Sequence, residues 1–113
     1  MAQARLSAYS SGKGGINAFI KAASLELAKD GITVNAVSPG NILTDSLKVL
    51  YGEDGAKEVA KVIPAGSLGD TADIGYAMVY LTSEQAKFVT GQAIVVDGGQ
   101  ILPEDPDSFL RNK

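Results

Sequence analysis

Tyr9 and Lys13 are the residues whose types and spacing could support catalysis. Positions i and i+4 of a helix lie one above the other on the same face, and an ammonium group beside a phenol stabilises the phenolate. An unperturbed phenol titrates at about pH 10, so tyrosine needs a positive neighbour and a dry pocket to exchange protons near neutral pH. The pair therefore predicts a general acid or base. A Tyr-x-x-x-Lys match on an ordinary helix surface is the alternative in a chain with four tyrosines and ten basic residues.

A long amphipathic segment must position this pair. Over residues 7–30 the apolar side chains recur at helical spacing, and Gly31 is a suitable left-handed cap. The beginning of the segment contains Gly12, Gly14 and Gly15. Each glycine inside a helix costs up to ~1 kcal/mol relative to alanine. The cluster indicates either a close approach by a cofactor or second subunit, or a frayed helix start.

Short apolar runs and further helices follow. Residues 32–37 and 93–96 are rich in β-branched side chains and predict two buried strands. Helices are predicted over residues 44–50 and 54–63, the second ending at Pro64, and from Asp70 or Thr71 to about Ser83. Thr44 or Asp45 is the predicted cap of the first of these helices. The buried stripe of the last one is predicted to consist of Ile74, Ala77, Met78 and Leu81.

The order helix, strand, helix, strand predicts an α/β fold with parallel strands and a right-handed crossover. Two parallel strands form a marginal sheet, so strand 32–37 is expected to expose an unpaired edge. We assign residues 1–100 to this partial domain and residues 101–113 to an acidic, proline-containing tail.

Composition excludes several classes of protein. The chain has 113 residues, 45% of them hydrophobic, and a net charge of −3, which predicts one soluble globular piece. Cysteine and histidine are absent, so we expect no disulfide, no thiol nucleophile and no metal site built on these ligands. No apolar run approaches the ~20 residues of a membrane span and no leader is recognisable, so we expect a cytoplasmic protein. The acidic balance argues against nucleic-acid binding.

Four segments, in this order and at these separations, resemble the short-chain dehydrogenase/reductase family. They are Tyr9-Ser10-Ser11-Gly12-Lys13, Ile32-Thr33-Val34-Asn35-Ala36-Val37, Pro39-Gly40-Asn41-Ile42-Leu43-Thr44 and Gly91-Gln92-Ala93-Ile94-Val95-Val96-Asp97-Gly98-Gly99. The resemblance implies the C-terminal portion of a doubly wound, Rossmann-like parallel sheet, whose N-terminal nucleotide-binding half is expected to lie outside these residues. It also implies NAD or NADP as cofactor, and hydride transfer between nicotinamide and a small-molecule alcohol or carbonyl substrate.

The resemblance also implies roles for individual residues. Tyr9 corresponds to the catalytic acid/base, and Lys13 to the residue that lowers the pKa of the tyrosine and hydrogen-bonds the nicotinamide ribose. The segment that holds the nicotinamide carboxamide is matched by Pro39, Gly40, Ile42 and Thr44. The Ile42 backbone and the Thr44 hydroxyl are the implied contacts, and residues 45–63 match the variable substrate-binding lid. The identity of the substrate and the choice between NAD and NADP stay open.

Other parts that the family requires are not found in the sequence. The catalytic serine would fall ahead of Met1, and no Gly-rich dinucleotide motif occurs. We therefore expect residues 1–113 by themselves to be inactive, as a fragment, a truncated product or a protein with a misassigned start. A gene product without a role is a further alternative.

A non-catalytic interaction half-domain is the alternative from a different class. Such a chain would associate with itself as a homo-oligomer, or with a complementary N-terminal half. The family's oligomer surfaces correspond to the apolar face of residues 16–27 and to strand 93–96. An ordinary core stripe is the competing interpretation of Ile16, Phe19 and Leu27.

Overall fold

The structure, a computed structural model, describes residues 7–102, except for the side chain of Tyr9. The principal elements are, in chain order, α1 (Ser7–Leu27), β1 (Ala36–Pro39), α2 (Asp45–Ala60), α3 (Thr71–Leu81) and β2 (Ala93–Val96). Short 3-10 helices follow α1, at Ala28–Asp30, and α3, at Glu84–Ala86. The predicted tail lies largely outside the described residues.

Helix α1 confirms the predicted long helix. It continues as the 3-10 turn Ala28–Asp30 and ends at Gly31, which is left-handed with φ 74° and donates its N–H to the Ala28 carbonyl at 3.0 Å. Helical geometry runs without a break through all three glycines, so the helix is not frayed where they occur. Apart from the adjoining helix backbone, no atom of the described residues lies within 4 Å of a Cβ built at any of them.

Strands β1 and β2 form a two-stranded parallel sheet. The second strand has the predicted bounds, whereas the first begins at Ala36, not at residue 32. The reason is that Val34 donates its N–H to the Thr90 hydroxyl at 3.0 Å, not to a backbone carbonyl. Regular backbone pairing starts two residues later, where the Ala36 N–H donates to the Gln92 carbonyl at 2.9 Å.

Asn35 joins the approach to β1 to the loop before β2. Its side-chain amide donates to the Val89 carbonyl at 2.9 Å, and its carbonyl oxygen accepts from the Gln92 N–H at 3.0 Å. Gly91, at φ 73°, donates to the Val34 carbonyl at 2.8 Å. This network sets the register of the parallel pair.

Helix α2 corresponds to the two helices predicted over residues 44–63. Gly52 has non-helical angles, φ 66° and ψ −178°, which divide α2 into the two expected pieces. The second piece ends at Ala60, earlier than predicted, because the next amides form tighter turns: Val62 donates to Val59 and Ile63 to Ala60, each at 3.2 Å. These turns bury Ile63, which is only 1% exposed.

Helix α3 is also shorter than predicted and ends at Leu81. None of its residues is buried, and Met78 is 53% exposed, so the predicted buried stripe is wrong at that position. In the described part of the chain the only buried residues are Ser24, Ile63 and Ala86. Within residues 7–102, the apolar faces of the helices are therefore largely uncovered.

By their internal contacts, the described residues divide into two compact units. The first comprises residues 7–37 and 78–94, and contains α1 and the network around Asn35. The second comprises residues 38–77 and 95–102, and contains α2, Ile63 and the segment after β1.

Candidate active site

The first group of predicted site residues belongs to α1. Tyr9 and Lys13 both lie within this helix, one turn apart, so the spacing that predicts a catalytic pair occurs in helical backbone. Lys13 is exposed. The side chain of Tyr9 is outside the described atoms, so direct contact between the two groups stays a prediction.

The second group of predicted site residues lies in the second unit, where the chain leaves the carboxyl end of β1. Pro39 is the exposed last residue of the strand. Gly40 donates its N–H to the Val96 carbonyl at 2.9 Å. A Cβ built on Gly40 would lie 2.5 Å from the Asp97 Cβ and 2.8 Å from its Cα, so only glycine fits there. Gly40, which the sequence predicts as a cofactor contact, thus has a packing role in the structure.

Gly69 holds the next part of this segment. A parallel bridge pairs Ile42 with Gly69: the Gly69 N–H donates to the Asn41 carbonyl at 3.0 Å, and the Leu43 N–H donates to the Gly69 carbonyl at 2.8 Å. Peptide groups alternate in direction along an extended segment, so the Ile42 N–H faces away from Gly69.

The Ile42 amide is the notable feature of the bridge. The Ile42 carbonyl accepts from the Thr44 N–H at 3.1 Å. The Ile42 N–H, in contrast, donates to no group within residues 7–102. An amide held in place without a partner among the described residues is available to an external acceptor such as a carboxamide oxygen.

Thr44 caps helix α2. Its hydroxyl oxygen accepts from the Leu47 N–H at 3.3 Å, which is the usual contact of an N-cap threonine. A hydroxyl has one proton to donate besides its acceptor positions, so this capping contact leaves the Thr44 O–H free to donate. The predicted cap and the predicted ligand contact are therefore compatible.

Two cavities flank the segment of residues 41–44 within the second unit. One has a volume of about 400 Å³ and is lined by Asn41, Ile42, Gly69, Asp73, Tyr76 and Asp97, among other residues. The other, of about 430 Å³, is lined by residues that include Thr44, Lys48 and Asp70. Both are open to solvent and have mixed polar and apolar walls.

Asp70 supplies a fixed negative charge beside the second cavity. Its carboxylate accepts from the Ala72 N–H at 3.1 Å as the N-cap of α3, while Asp73 accepts from the Asp70 N–H at 2.7 Å. The hydrogen bond from Ala72, then that from the Thr71 hydroxyl, hold the pKa of Asp70 below its ordinary value of 3.8, and Lys48 adds a smaller attraction.

Sequence reasoning missed the residues that support the segment. Gly69, Asp97 and Gln100 contact residues 40–43, yet sequence reasoning assigned none of them to the site. The paired glycines Gly98 and Gly99, both at positive φ, were a signal of a tight turn after β2. Nothing local in the sequence indicated that Gly69 pairs with Ile42.

Two further properties concern the described residues. Over residues 7–102 no three acidic side chains come close enough to hold a metal ion. None of the helices in that range combines the length and the hydrophobicity that a bilayer crossing requires.

A comparison with known protein families identifies the family of this chain. The sequence profile described as enoyl-(acyl carrier protein) reductase matches residues 1–100. The chain belongs to the short-chain dehydrogenase/reductase family. The family resemblance stated from the sequence is thereby confirmed, as is the α/β fold with two parallel strands and flanking helices.

Several family members are similar to this chain. The 3-oxoacyl-(acyl-carrier-protein) reductase of Vibrio harveyi is 40% identical over 94 residues, which are 83% of this chain and 38% of that protein. A glucose and ribitol dehydrogenase homolog of Oryza sativa is 35% identical, over 83% of this chain and 31% of that protein. The chain thus spans well under half the length of these relatives.

Solved structures of the family share the fold. A short chain dehydrogenase family protein from Francisella tularensis superposes with a TM-score of 0.81 at 30% identity, covering 91% of this chain and 47% of that one. Acetoin dehydrogenase from Salmonella typhimurium gives 0.76 at 35% identity, covering 92% and 39%.

The described residues fit the nicotinamide end of a dinucleotide, the cofactor type of this family. The Ile42 N–H suits the acceptor oxygen of a carboxamide, and the Thr44 O–H suits a second acceptor beside an open cavity. Both donors can be used while the hydrogen bonds described for residues 41–44 stay in place.

Proposed function

We propose that this chain supplies the acid/base pair and the nicotinamide-holding segment of an NAD(P)-dependent oxidoreductase acting on an alcohol or carbonyl. The observation that carries the proposal is the Ile42 amide, which is fixed by the bridge to Gly69 and yet donates to no group in the described chain. Membership of the short-chain dehydrogenase/reductase family supports it.

The proposed chemistry divides between cofactor and chain. When bound, the nicotinamide supplies or accepts the hydride. In the reductive direction the Tyr9 hydroxyl gives a proton to the substrate oxygen, and in the oxidative direction it removes one. Lys13 keeps a positive charge near the phenol and so favours its ionised form. The Ile42 N–H and the Thr44 hydroxyl orient the carboxamide, and orientation of this kind lowers the entropic part of the barrier.

Residues 1–113 by themselves are proposed to lack turnover. The sequence contains no Gly-rich loop to bind a pyrophosphate at a helix N-terminus, and no serine at the family's spacing before Tyr9 to polarise a substrate carbonyl. Loss of one such donor commonly lowers the rate by ~10²–10³. Steady nicotinamide oxidation or reduction by the purified chain, lost in Tyr9→Phe, would contradict this part of the proposal.

A chimera tests the chemistry directly. The part of the Vibrio harveyi reductase that precedes its matched region can be fused to this chain, and oxidation of reduced nicotinamide followed with small carbonyl substrates. In an active fusion, Tyr9→Phe should lower the rate by about 10²–10⁴, because it removes a general acid. Tyr80→Phe, a change on the exposed surface of α3, is the matched control and should retain the rate. An active fusion that does not depend on Tyr9 would refute the assignment.

An interaction half-domain is the second candidate, and the exposed face of α1 favours it. Ile16 is 52% exposed, Phe19 68% and Leu25 81%, so the described residues do not bury Ile16 or Phe19. Light scattering should then show a mass above that of one chain, reduced by Phe19→Ser and unchanged by Lys29→Ser on the exposed turn after α1. A monomer at all concentrations would exclude self-association.

A further inference from the structure

Two supports hold the backbone at the Ile42 amide: one acts on the Asn41–Ile42 peptide unit, to which this amide belongs, and on the unit after Ile42, and the other acts on the Gly40–Asn41 unit before it. On one side is Gly69, which accepts from Leu43 and donates to Asn41. A Cβ on Gly69 would lie 2.6 Å from the Ile42 Cδ1, so the Ile42 side chain packs directly over Gly69. These contacts fix the Asn41 carbonyl and the Leu43 N–H.

The turn after β2 provides the support on the other side. The Asp97 carboxylate accepts from Gly99 at 2.9 Å and from Ile101 at 3.1 Å, and the Gln100 N–H donates to the Asp97 carbonyl at 3.2 Å. Gly98 and Gly99 take φ values of 65° and 89°, which permit this tight reversal. The reversal directs residue 100 back towards the segment after β1.

The Gln100 side chain then completes the support. Its Oε1 atom accepts from the Asn41 N–H at 3.3 Å, and a Cβ on Gly40 would lie 3.2 Å from the same atom. Because the partner is a backbone N–H, the oxygen of the amide must face it. Gln100 therefore holds the Gly40–Asn41 peptide unit through the Asn41 N–H, and Gly69 holds the Asn41–Ile42 unit through the Asn41 carbonyl.

We infer that Gln100 is a positioning residue for nicotinamide: by holding the Asn41 N–H, it orients the neighbouring Ile42 N–H towards the carboxamide. The choice of nicotinamide as the ligand rests on the proposed function, whereas the support of Asn41 by Gln100 does not. Asn41 and Ile42 are joined by one peptide unit, so rotation at Asn41 would turn the Ile42 amide away from its described direction. Gln100 itself touches neither cofactor nor substrate in this scheme.

The test uses the full 113-residue chain, labelled with nitrogen-15, and two measurements by nuclear magnetic resonance. The variants are Gln100→Met, which keeps the size and removes the acceptor, Gln100→Glu, which restores an acceptor, and Gln85→Met, an exposed control. The first measurement is hydrogen exchange at Asn41, Leu43 and Gly69 without ligand. The second is titration with nicotinamide mononucleotide, which carries only the half of the dinucleotide that these residues would hold.

Gln100→Met should speed exchange at Asn41 and Gly69 by about fivefold, the equilibrium change for loss of one ordinary hydrogen bond, and weaken mononucleotide binding at Ile42 by a similar factor. Gln100→Glu should recover most of both effects, and Gln85→Met should show neither. Unchanged exchange in Gln100→Met would overturn the inference whatever the mononucleotide does. Accelerated exchange with unweakened binding would also overturn it.

Failure of the proposed function has a different signature. If exchange responds as expected but the mononucleotide shifts no resonance of Ile42 or Thr44 in the unmodified chain, the support by Gln100 is confirmed and the nicotinamide assignment is overturned.

Discussion

Gly40 and Asp97 lie in backbone contact, so close that a Cβ on residue 40 would come within 2.8 Å of the Asp97 Cα. Gly40 begins the segment that carries the Ile42 amide, and Asp97 begins the turn that carries Gln100. The contact therefore joins the ends of two neighbouring parallel strands at the point where the proposed nicotinamide contacts start. Position 40 must remain glycine for this packing, irrespective of any ligand.

Gly40→Ala should destabilise the chain by about 1–3 kcal/mol, because the added methyl group meets backbone that cannot rotate away. Gly75→Ala is the matched control. Gly75 is helical in α3, and nothing lies within 4 Å of its Cβ position, so this change should stabilise the chain by up to ~1 kcal/mol. Urea unfolding midpoints followed by circular dichroism measure both. Equal midpoints for the two variants would contradict the close contact.

The glycines of α1 allow a second prediction. Gly15→Ala should raise the stability of the chain by up to ~1 kcal/mol, because the helix is continuous there and a Cβ at this position meets no described atom. If a second subunit or a cofactor approaches the helix closely, the same change should weaken that association. Thermal unfolding at two protein concentrations separates the two effects. A loss of stability in the dilute chain would show that something within the chain approaches Gly15.

Asp70 gives a pH-dependent prediction. Its folded-state pKa lies below 3.8, so its ionised form contributes stability at neutral pH, and this contribution is lost as the pH falls through the folded-state value. Asp70→Asn keeps an N-cap of similar quality without a titrating group. The stability difference between the two proteins should favour Asp70 at about pH 6 and disappear below its folded-state pKa. Urea midpoints from about pH 6 to 2 measure it, and a difference that grows on acidification would have the wrong sign.

How far the sequence could predict this structure differs from element to element. Helix α1 and strand β2 followed from local patterns, because helical apolar spacing, a terminal glycine and a β-branched run are properties of adjacent residues. The start of β1 did not follow, because it depends on Thr90, far along the chain. Met78 fits the apolar stripe of α3 but is exposed. Helical periodicity identifies the apolar face of a helix, but it does not show whether another element packs on that face.

The candidate site shows the same division. The residue types at positions 39–44 and the family resemblance predict that this segment holds nicotinamide, and that role stays a proposal. They did not indicate that Gly69 and Gln100 support it, because both contacts are long-range and one is made by a glycine without a side chain. Thr44 was predicted both as a cap and as a ligand contact, and its hydroxyl has the capacity for both.

Asn35 should be a main determinant of the pairing between β1 and β2. Asn35→Ala removes hydrogen bonds to Val89 and Gln92 and should cost about 1–3 kcal/mol in free energy of unfolding. Asn17→Ala, on the exposed surface of α1, should change it by less than ~0.5 kcal/mol. Hydrogen exchange at Ala36 and Gly91 should accelerate in the first variant alone. Protection retained at both amides would show that the ladder forms without this side chain.

Gly91 and Ser24 are coupled by contact, which a double-mutant cycle can detect. Gly91 has φ 73°, and a Cβ there would lie 2.8 Å from the Ser24 Oγ but 3.6 Å from its Cβ. Gly91→Ala should therefore cost about 2 kcal/mol, part from the left-handed backbone and part from the clash with the hydroxyl. In the Ser24→Ala background the clash disappears and the backbone cost remains, so the same change should cost about half as much. Additive effects in urea unfolding would show that backbone strain alone explains the need for glycine.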